Sequence, residues 1–248
     1  MKYAVLFPGQ GSQAVGMLKA LGDAHAEVAQ TFDEASSVLG FDVGALVREG
    51  PKETLDRTEN TQPALLAASI AVWRVWQAQG VPPPAALAGH SLGEYSALVA
   101  AESLGFADAL KLVRLRGQLM QAAVPEGQGG MAAVIGLDDD AVAALCKAYP
   151  GSELIAPANF NSPGQVVVAG ETPAIEWLLA NGKAQGARMV MRVGMSVPSH
   201  CRLLTGAAEQ LAAALASVPV AAPKITVLHN LDAEPRTAPD AIRAALAA

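Results

Sequence analysis

The chain has 248 residues, of which 52% are hydrophobic and 16% charged, and its formal net charge is −6. This length and composition predict a globular protein with a full core and exclude a disordered chain. The sequence has no basic cluster typical of nucleic-acid binding and no apolar run typical of a signal peptide or a membrane span. Its two cysteines, Cys146 and Cys201, are far apart in sequence, which favours a reduced cytoplasmic protein without a disulfide or zinc framework.

The chain begins with a predicted strand and a glycine-rich loop. Residues 3–7 form a short continuous apolar run, as expected of a buried strand. Residues 8–13 (PGQGSQ) form a loop whose backbone can approach a ligand closely, although they lack the glycine spacing of nucleotide-binding loops. Gln10 places a neutral amide on this loop, where it can reach a site.

Helices are predicted to follow, up to a proline-rich break at 80–84. Apolar residues recur at helical period in the first segment, and Gly40 is its predicted C-cap. The predicted helices are residues 23–39, 42–50, 51–55 and a long helix from a cap at Asn60 or Thr61 to Trp76.

Residues 89–93 (GHSLG), here called the serine turn, follow a predicted strand at 85–88 and precede a helix at 94–101. A Gly-x-Ser-x-Gly turn between a strand and a helix presents its serine outwards at a helix N-terminus. Such a turn suits a nucleophile whose intermediate carries negative charge. The alternative is an ordinary N-cap serine between two glycines, and the five residues alone leave both interpretations open.

The next predicted helix, 106–124, carries two arginines that face opposite ways on a helical wheel. Arg114 falls on a polar arc with Lys111, Gln118 and Gln121, so we expect it to be solvated. Arg116 lies opposite that arc, and an unpaired guanidinium there would be very costly. Either it forms a buried structural ion pair or it binds an anionic substrate, bidentate to a carboxylate.

After a flexible link at 127–130 the pattern changes. The predicted order β-α-β-β-α-β over residues 128–194 is that of a small ferredoxin-like module, inserted into a domain that resumes afterwards. In this prediction, residues 159–164 form the loop between the second and third strands. The chain then continues with a helix after His200, a short strand at 225–228 and a last helix at 240–247. We therefore predict domains at 1–127 with 195–248, and at 128–194.

A serine needs a base within hydrogen-bond reach to act at neutral pH, and the chain has four histidines. His25 lies in a surface-type helix, and His229 follows a short strand as a core or loop residue. His90 adjoins the serine and is better suited to a supporting role. By elimination His200 is the best candidate for the base, with no aspartate clearly placed as a third member.

Together these motifs resemble the malonyl-CoA:acyl carrier protein transacylases of bacterial fatty acid synthesis and the related acyltransferase domains of polyketide synthases. The resemblance covers nearly the whole chain and rests on FPGQGSQ (7–13), TQPA (61–64), GHSLGEY (89–95), RGQLM (116–120), NFNSPGQ (159–165) and PSHC (198–201).

The resemblance implies a fold and a set of roles. The implied fold is α/β, with a hydrolase-like parallel-sheet core domain and an inserted small ferredoxin-like (βαββαβ) subdomain. Ser91 would be the nucleophile that becomes malonylated, and His200 the base that activates it. The backbone N–H groups of Gln10 and Leu92 would form the oxyanion hole, and Arg116 would pair with the malonyl carboxylate. Supporting positions near the site are His90, Asn159 and Asn161.

The implied reaction transfers a malonyl group from malonyl-CoA to the phosphopantetheine thiol of acyl carrier protein in a ping-pong cycle. We expect no cofactor, no metal, no nucleic-acid or membrane partner, and a monomer. Family members run longer at the C-terminus, with a glutamine-bearing stretch and a closing strand and helix, so we expect that part of the family fold to be missing here. The alternatives are a serine esterase or thioesterase on a similar scaffold, and an inactive truncated fragment that binds the carrier protein.

Overall fold

A computed structural model describes residues 2–125, 127–194 and 197–247. The chain divides into two compact units, Met1–Gln118 with Ala208–Ala248, and Leu119–Ala207. The strands are β1 (Ala4–Phe7), β2 (Ala86–Gly89), β3 (Gly129–Ile135), β4 (Ile155–Ser162), β5 (Gln165–Glu171), β6 (Met189–Arg192) and β7 (Val227–Leu228). The helices are α1 (Lys19–Ala24), α2 (Ala26–Leu39), α3 (Val43–Glu49), α4 (Lys52–Leu55), α5 (Thr58–Ala78), α6 (Gly93–Ala100), α7 (Phe106–Ala123), α8 (Asp139–Lys147), α9 (Thr172–Asn181), α10 (Thr205–Ala216) and α11 (Pro239–Ala247), with a 3-10 turn at Arg202–Leu204.

The first unit contains a parallel sheet of strand order β1-β2-β7. Register pairs Phe7 with Gly89 and Ala88 with Leu228, so the carboxyl ends of all three strands lie at the same edge. The central strand is anchored by Leu87, which is fully buried. In parallel sheets this edge is where ligand sites form, because the loops that leave the strands converge there.

Two helix predictions in this unit need correction. The helix predicted at 23–39 is two helices, α1 and α2, because His25 is extended (φ −137°, ψ 116°) and interrupts them. The long helix begins at Thr58, after Arg57 as N-cap, and not after Asn60 or Thr61. The Thr61 hydroxyl instead donates to the Leu55 carbonyl oxygen at 2.5 Å, from inside the helix. The C-cap at Gly40 is confirmed, since its φ is 75° and its N–H donates to the Ser36 carbonyl oxygen.

The second unit contains a separate antiparallel sheet of order β4-β5-β3-β6. The observed element order is β3-α8-β4-β5-α9-β6, as the sequence pattern predicts. One face of the sheet packs against α8 and α9 through the apolar side chains of Ala132, Val134, Val142, Leu145, Cys146, Val166, Val168, Ile175, Leu178 and Ala187. The other face is also apolar, around Met131, Ala133, Val167 and Ala169.

Strand β4 is longer than predicted. It extends to Ser162, so Asn159 and Asn161 lie in a strand and not in a loop. The chain turns at Pro163 and Gly164, where Gly164 supplies the positive φ of 77° that a tight hairpin turn requires. Register irregularities between Pro157 and Asn159 and between Phe160 and Ser162 let this asparagine-rich segment pair with β5.

Candidate active site

The serine turn joins β2 to α6, so the predicted strand, turn and helix are confirmed. Ser91 has a φ of 49°, a left-handed conformation that costs a non-glycine residue about 1–3 kcal/mol. A Cβ added at Gly89 would lie 1.9 Å from the Gly93 carbonyl carbon, and one at Gly93 would lie 2.3 Å from the Phe7 carbonyl oxygen. Both positions therefore require glycine. Backbone contacts at these two glycines leave no room for a side chain and hold the turn in its strained conformation.

The loop after β1 lies against this turn. The His90 N–H donates to the Phe7 carbonyl oxygen at 3.0 Å. A Cβ at Gly9 would stand 2.6 Å from the His90 carbonyl oxygen, so the two loops are in backbone contact. The Gln10 side-chain amide donates to Thr58 Oγ1 at 2.9 Å. Gln10 is thus fixed on the loop that covers the serine turn, and Leu92 lies at the N-terminal end of α6.

Arg116 reaches the predicted nucleophile directly. Its Nη2 donates to Ser91 Oγ at 3.1 Å, and its Nη1 donates to Gln62 Oε1 at 2.9 Å. Helix α7 comes close enough for this because it has no side chain at Gly117, where a Cβ would stand 2.6 Å from Glu59 Cα. Within the part of the chain that the structure describes, Arg116 has no carboxylate within 4.0 Å, so the structural ion pair is not observed there.

The prediction for Arg114 is wrong. It is half-buried, and its guanidinium lies over the Phe41 ring at 4.5 Å from the centroid. Its Nη1 is buried and has no hydrogen-bond partner among the described residues. The aromatic face compensates in part, because a ring quadrupole attracts a cation. The helical wheel separated the directions of the two arginines correctly but could not show that an aromatic ring covers Arg114.

A carboxylate network lies behind the serine turn, formed by the buried residues Glu94 and His229 and by Asn230, which is exposed at the surface. His229 Nδ1 lies 2.6 Å from Glu94 Oε1, and their side chains are 0% and 4% exposed. The Asn230 N–H donates to Glu94 Oε2 at 2.9 Å, and its side-chain amide donates to the same oxygen. Asn230 Oδ1 in turn accepts from the Ser91 N–H at 3.1 Å.

Sequence reasoning missed Glu94 and Asn230 and gave His229 no role. A signal did exist, because the polar pair His229-Asn230 directly follows β7, as the serine turn follows β2. Polar residues after neighbouring parallel strands meet at one sheet edge. Using that signal requires knowing that β7 pairs with β2, which a two-residue strand does not reveal.

Tyr95, on α6, is 2% exposed, and its hydroxyl has no hydrogen-bond partner within the described residues. Burial raises the pKa of Tyr95 to about 12, although the charge of Arg116 acts in the opposite direction. The phenol therefore stays protonated at neutral pH and is unsuited to act as a base for Ser91.

The other predicted site residues lie in the second unit. His200 has a positive φ of 56° and precedes the 3-10 turn. Asn159 is half-buried and Asn161 exposed on β4. In the first unit, the structure joins Ser91, Arg116 and Gln62 by hydrogen bonds, and packs the loop of Gln10 on the serine turn.

A cavity of about 500 Å³ beside β1 has a different character. It is lined almost entirely by apolar residues, among them Phe7, Leu65, Trp73 and Trp76, and by none of the predicted site residues. Among the residues described here, no group of three or more histidine, cysteine or acidic side chains could hold a metal ion. Over the same residues, every helix is too short or too polar to cross a membrane.

The chain belongs to the acyl transferase domain family, whose sequence profile matches residues 5–245. Among curated relatives, the malonyl CoA-acyl carrier protein transacylase of Salmonella typhimurium is 52% identical over 245 residues, which cover 99% of this chain and 79% of the relative.

Solved structures agree with this family. An acyl carrier protein S-malonyltransferase from Vibrio cholerae matches with a TM-score of 0.95 and 55% identity, over 100% of this chain and 81% of that one. A malonyl-transacylase in complex with its type II PKS acyl-carrier protein matches with a TM-score of 0.97 and 51% identity, over 100% of this chain and 80% of that one. The mixed α/β architecture with separate parallel and antiparallel sheets is shared with such structures.

Proposed function

We propose that this protein transfers a malonyl group from malonyl-CoA to the phosphopantetheine thiol of acyl carrier protein, through a malonyl-serine intermediate on Ser91. The observation that carries the proposal is the 3.1 Å hydrogen bond from Arg116 Nη2 to Ser91 Oγ. It places a permanent cation beside a serine on a strained turn at a helix N-terminus. Relatives named for this reaction are 52% and 51% identical to the chain over the aligned residues.

Arg116 is suited to select a substrate with a free carboxylate. In a malonyl ester of Ser91, one methylene separates the ester carbonyl from the carboxylate. A guanidinium within reach of Oγ is therefore also within reach of that carboxylate, to which it can donate two parallel hydrogen bonds. Its partners within the described residues, Gln62 and Ser91, are both neutral. Arg116 can therefore bind a carboxylate without first breaking an ion pair. An acetyl group would leave the guanidinium without this anion.

The proposed chemistry has two matched halves. Ser91 Oγ attacks the thioester carbon while His200 takes the hydroxyl proton; the C–S bond then breaks, and the CoA thiolate leaves with that proton. In the second half His200 takes the proton of the carrier-protein thiol, whose sulfur attacks the ester carbon; the bond from that carbon to Ser91 Oγ then breaks, and His200 returns the proton to Oγ. The N–H groups of Gln10 and Leu92 would stabilise the oxyanion of each tetrahedral intermediate.

The assignment of His200 as the base is supported by elimination. His229 Nδ1 is committed to Glu94, and the His229 side chain is fully buried. His25 lies at the break between α1 and α2. His90 packs its ring against Gly9 and stays a supporting residue, as do Asn159 and Asn161.

We further propose a hydrolase-like core domain at residues 1–127 with 195–248, and a ferredoxin-like subdomain at 128–194. The antiparallel order β4-β5-β3-β6 with two helices on one face supports the second assignment. The chemistry assigned to Ser91 and His200 needs no cofactor or metal. We propose a cytoplasmic monomer that meets acyl carrier protein and malonyl-CoA as substrates.

The decisive experiment is intact-protein mass spectrometry after mixing with malonyl-CoA, followed by addition of phosphopantetheinylated acyl carrier protein. We expect one malonyl group on the wild-type chain, none on Ser91→Ala, and transfer of that group to the carrier protein. Loss of the group to water instead would favour a thioesterase. An adduct that persists on Ser91→Ala would exclude Ser91 as the nucleophile.

The same assay tests the carboxylate selection. Arg116→Ala should lower the rate of malonyl transfer about a hundredfold or more, since it removes charge-assisted hydrogen bonds, while acetyl transfer is unchanged or faster. Arg114→Ala is the matched control, because it removes a guanidinium from the same helix without contact to Ser91. Equal losses with malonyl-CoA and acetyl-CoA would contradict a carboxylate-binding role.

A further inference from the structure

We propose that Asn230, held by the buried Glu94–His229 pair, is a positioning residue that fixes the main chain of the nucleophile Ser91. The inference extends the proposed function, because it assigns to that same site three residues that act through the serine turn. It stands on hydrogen-bond geometry within the first unit.

The carboxylate network closes a ring of hydrogen bonds around the serine turn. The Glu94 N–H donates to the Ser91 carbonyl oxygen at 3.0 Å, so one side of the ring is main chain. The Ser91 N–H donates to Asn230 Oδ1 at 3.1 Å, and the Asn230 amide returns to Glu94 Oε2. Both polar main-chain groups of Ser91 are therefore bonded to the network, and its peptide planes are held from either side.

The burial of Glu94 explains how this ring fixes the orientation of the Asn230 side chain. Glu94 is 3% exposed, and burying a carboxylate is costly unless donors surround it. Three donors do so, namely His229 Nδ1, the Asn230 N–H and the Asn230 side-chain amide. Because a carboxylate only accepts, it fixes the Asn230 amide in the orientation that turns Oδ1 towards Ser91. His229 holds the other carboxylate oxygen, so the carboxylate cannot rotate away.

The ring of hydrogen bonds matters because Ser91 has a strained backbone conformation. A φ of 49° is a conformation that a serine leaves unless its surroundings over-determine it. If Oδ1 of Asn230 is removed, the Ser91 N–H loses its acceptor and the turn can relax towards an ordinary helix N-terminus. Relaxation would move Oγ away from Arg116, and small displacements of a nucleophile reduce rates steeply.

The hydrogen bond on the Ser91 N–H also decides which backbone N–H group of the turn can donate to an oxyanion. That N–H is engaged by Asn230, so it is not a donor for a developing oxyanion. The Leu92 N–H, at the start of α6, has no acceptor among the described residues. Asn230 thereby favours one oxyanion donor over its neighbour.

The test compares Asn230→Ala with Asp232→Asn, a control on the same loop whose side chain pairs with Arg236. Three quantities are measured on the full chain, namely the hydrogen-exchange rate of the Ser91 amide, the single-turnover rate of malonyl-serine formation and the KM for malonyl-CoA. For Asn230→Ala we expect Ser91 exchange to rise about tenfold or more and acylation to fall about 10–100-fold, with KM for malonyl-CoA within about twofold. Asp232→Asn should leave both rates within about twofold.

A second pair of variants distinguishes positioning from general destabilisation. Asn230→Asp keeps an acceptor for the Ser91 N–H but sets a second carboxylate against Glu94, so acylation should fall. The double variant E94Q/N230D leaves one carboxylate in the network, and we expect part of the rate to return. A merely structural role would make the double variant worse than either single variant.

The outcomes also separate this inference from the proposed function. If the wild-type chain forms no malonyl-serine, the proposed function fails, and the Ser91 exchange rate still decides whether Asn230 fixes the turn. Unchanged Ser91 exchange in Asn230→Ala would overturn the inference even if malonyl transfer is confirmed. Equal falls in acylation for Asn230→Ala and Asp232→Asn would overturn it as well.

Discussion

The two sheets differ in where they place strained and polar residues. The parallel sheet of the first unit ends in polar loops, with Ser91 at a φ of 49° and Glu94 buried at 3% exposure. The antiparallel sheet of the second unit buries aliphatic side chains along β3 and β5, and it leaves the positive φ of its hairpin turn to Gly164. The loops of the parallel sheet constrain a few backbone atoms at the serine turn. The antiparallel sheet instead packs apolar side chains into a core.

This difference teaches where each unit should be sensitive. Chemistry at the serine turn depends on close backbone approaches, so one added methyl group can abolish it. Stability of the second unit depends on side-chain volume, so removing atoms from its core should lower its free energy of unfolding while the folded molecules keep their chemistry. This difference in sensitivity can be tested by three experiments, which follow from the largest expected effect to the smallest.

The largest effect should come from Gly89→Ala. Its new Cβ would stand 1.9 Å from the Gly93 carbonyl carbon and 2.4 Å from the Glu94 nitrogen, so β2 and α6 would have to separate. We expect a loss above about 4 kcal/mol in the free energy of unfolding and no detectable malonyl-serine. Chemical denaturation and intact mass measure the two quantities.

The matched control for that change is Gly105→Ala. The nearest atom to its new Cβ is a side-chain oxygen at 3.5 Å, an ordinary contact. We expect it to cost about 1 kcal/mol or less and to leave acylation intact. If Gly89→Ala behaved like this control, the tight approach at the serine turn would not govern its function.

Sequence reasoning predicted this turn well because the residues that indicate it are adjacent in sequence. Gly89, Ser91 and Gly93 are adjacent, and the strand and helix beside them have their own apolar patterns. The helical wheel likewise predicted that Arg116 points inwards, since direction on a helix is a local property. Its observed partners, Gln62 and Ser91, were not predictable from the wheel, because the wheel says nothing about which helix lies opposite.

The carboxylate network was beyond that reasoning for a physical reason. Asn230 bonds to Ser91 across 139 residues of sequence, through a strand of two residues. Such a pairing is decided by tertiary packing, which overrides the weak preference of so short a segment. The hairpin was misjudged for a similar reason. Asn159 has low strand propensity yet pairs with Val167 of β5, and Asn161 lies at a register irregularity of β4. The role of His200 stays a prediction.

An intermediate effect should come from Ile175→Ala in the second unit. Ile175 is fully buried on α9, within the cluster that joins both helices to the sheet. Removing three carbon atoms from such a position leaves a cavity and costs about 2–5 kcal/mol. Denaturation in urea should show this loss, while the folded fraction still forms malonyl-serine at a rate near that of the wild type.

Glu176→Ala, at the next residue of α9, is the control for that change. Its carboxylate pairs with Arg192 while 60% exposed, and exposed pairs contribute about 0–1 kcal/mol. A loss comparable to that of Ile175→Ala would mean that charge pairing, and not packed volume, maintains the second unit.

The smallest effect concerns the two cysteines of the second unit. Burial raises the pKa of Cys146 to about 11, from an ordinary value of 9.0, and its side chain lies within the apolar cluster. Because only the thiolate reacts, a pKa of about 11 leaves roughly a hundredfold less reactive thiolate at pH 8 than the ordinary value does. Burial also raises the pKa of Cys201, but its side chain is partly exposed.

An alkylating reagent at pH 8 should therefore label Cys201 first and leave Cys146 unmodified until the protein unfolds. Cys201→Ser should take up no label in the folded state, and its labelling in urea should follow the unfolding curve. Raising the pH from 8 to 9 should speed Cys201 alkylation, since its thiolate fraction rises with pH below the raised pKa. Rapid labelling of Cys146 in the folded protein would show that the core of the second unit opens without global unfolding, and the packed-volume account of that sheet would then be wrong.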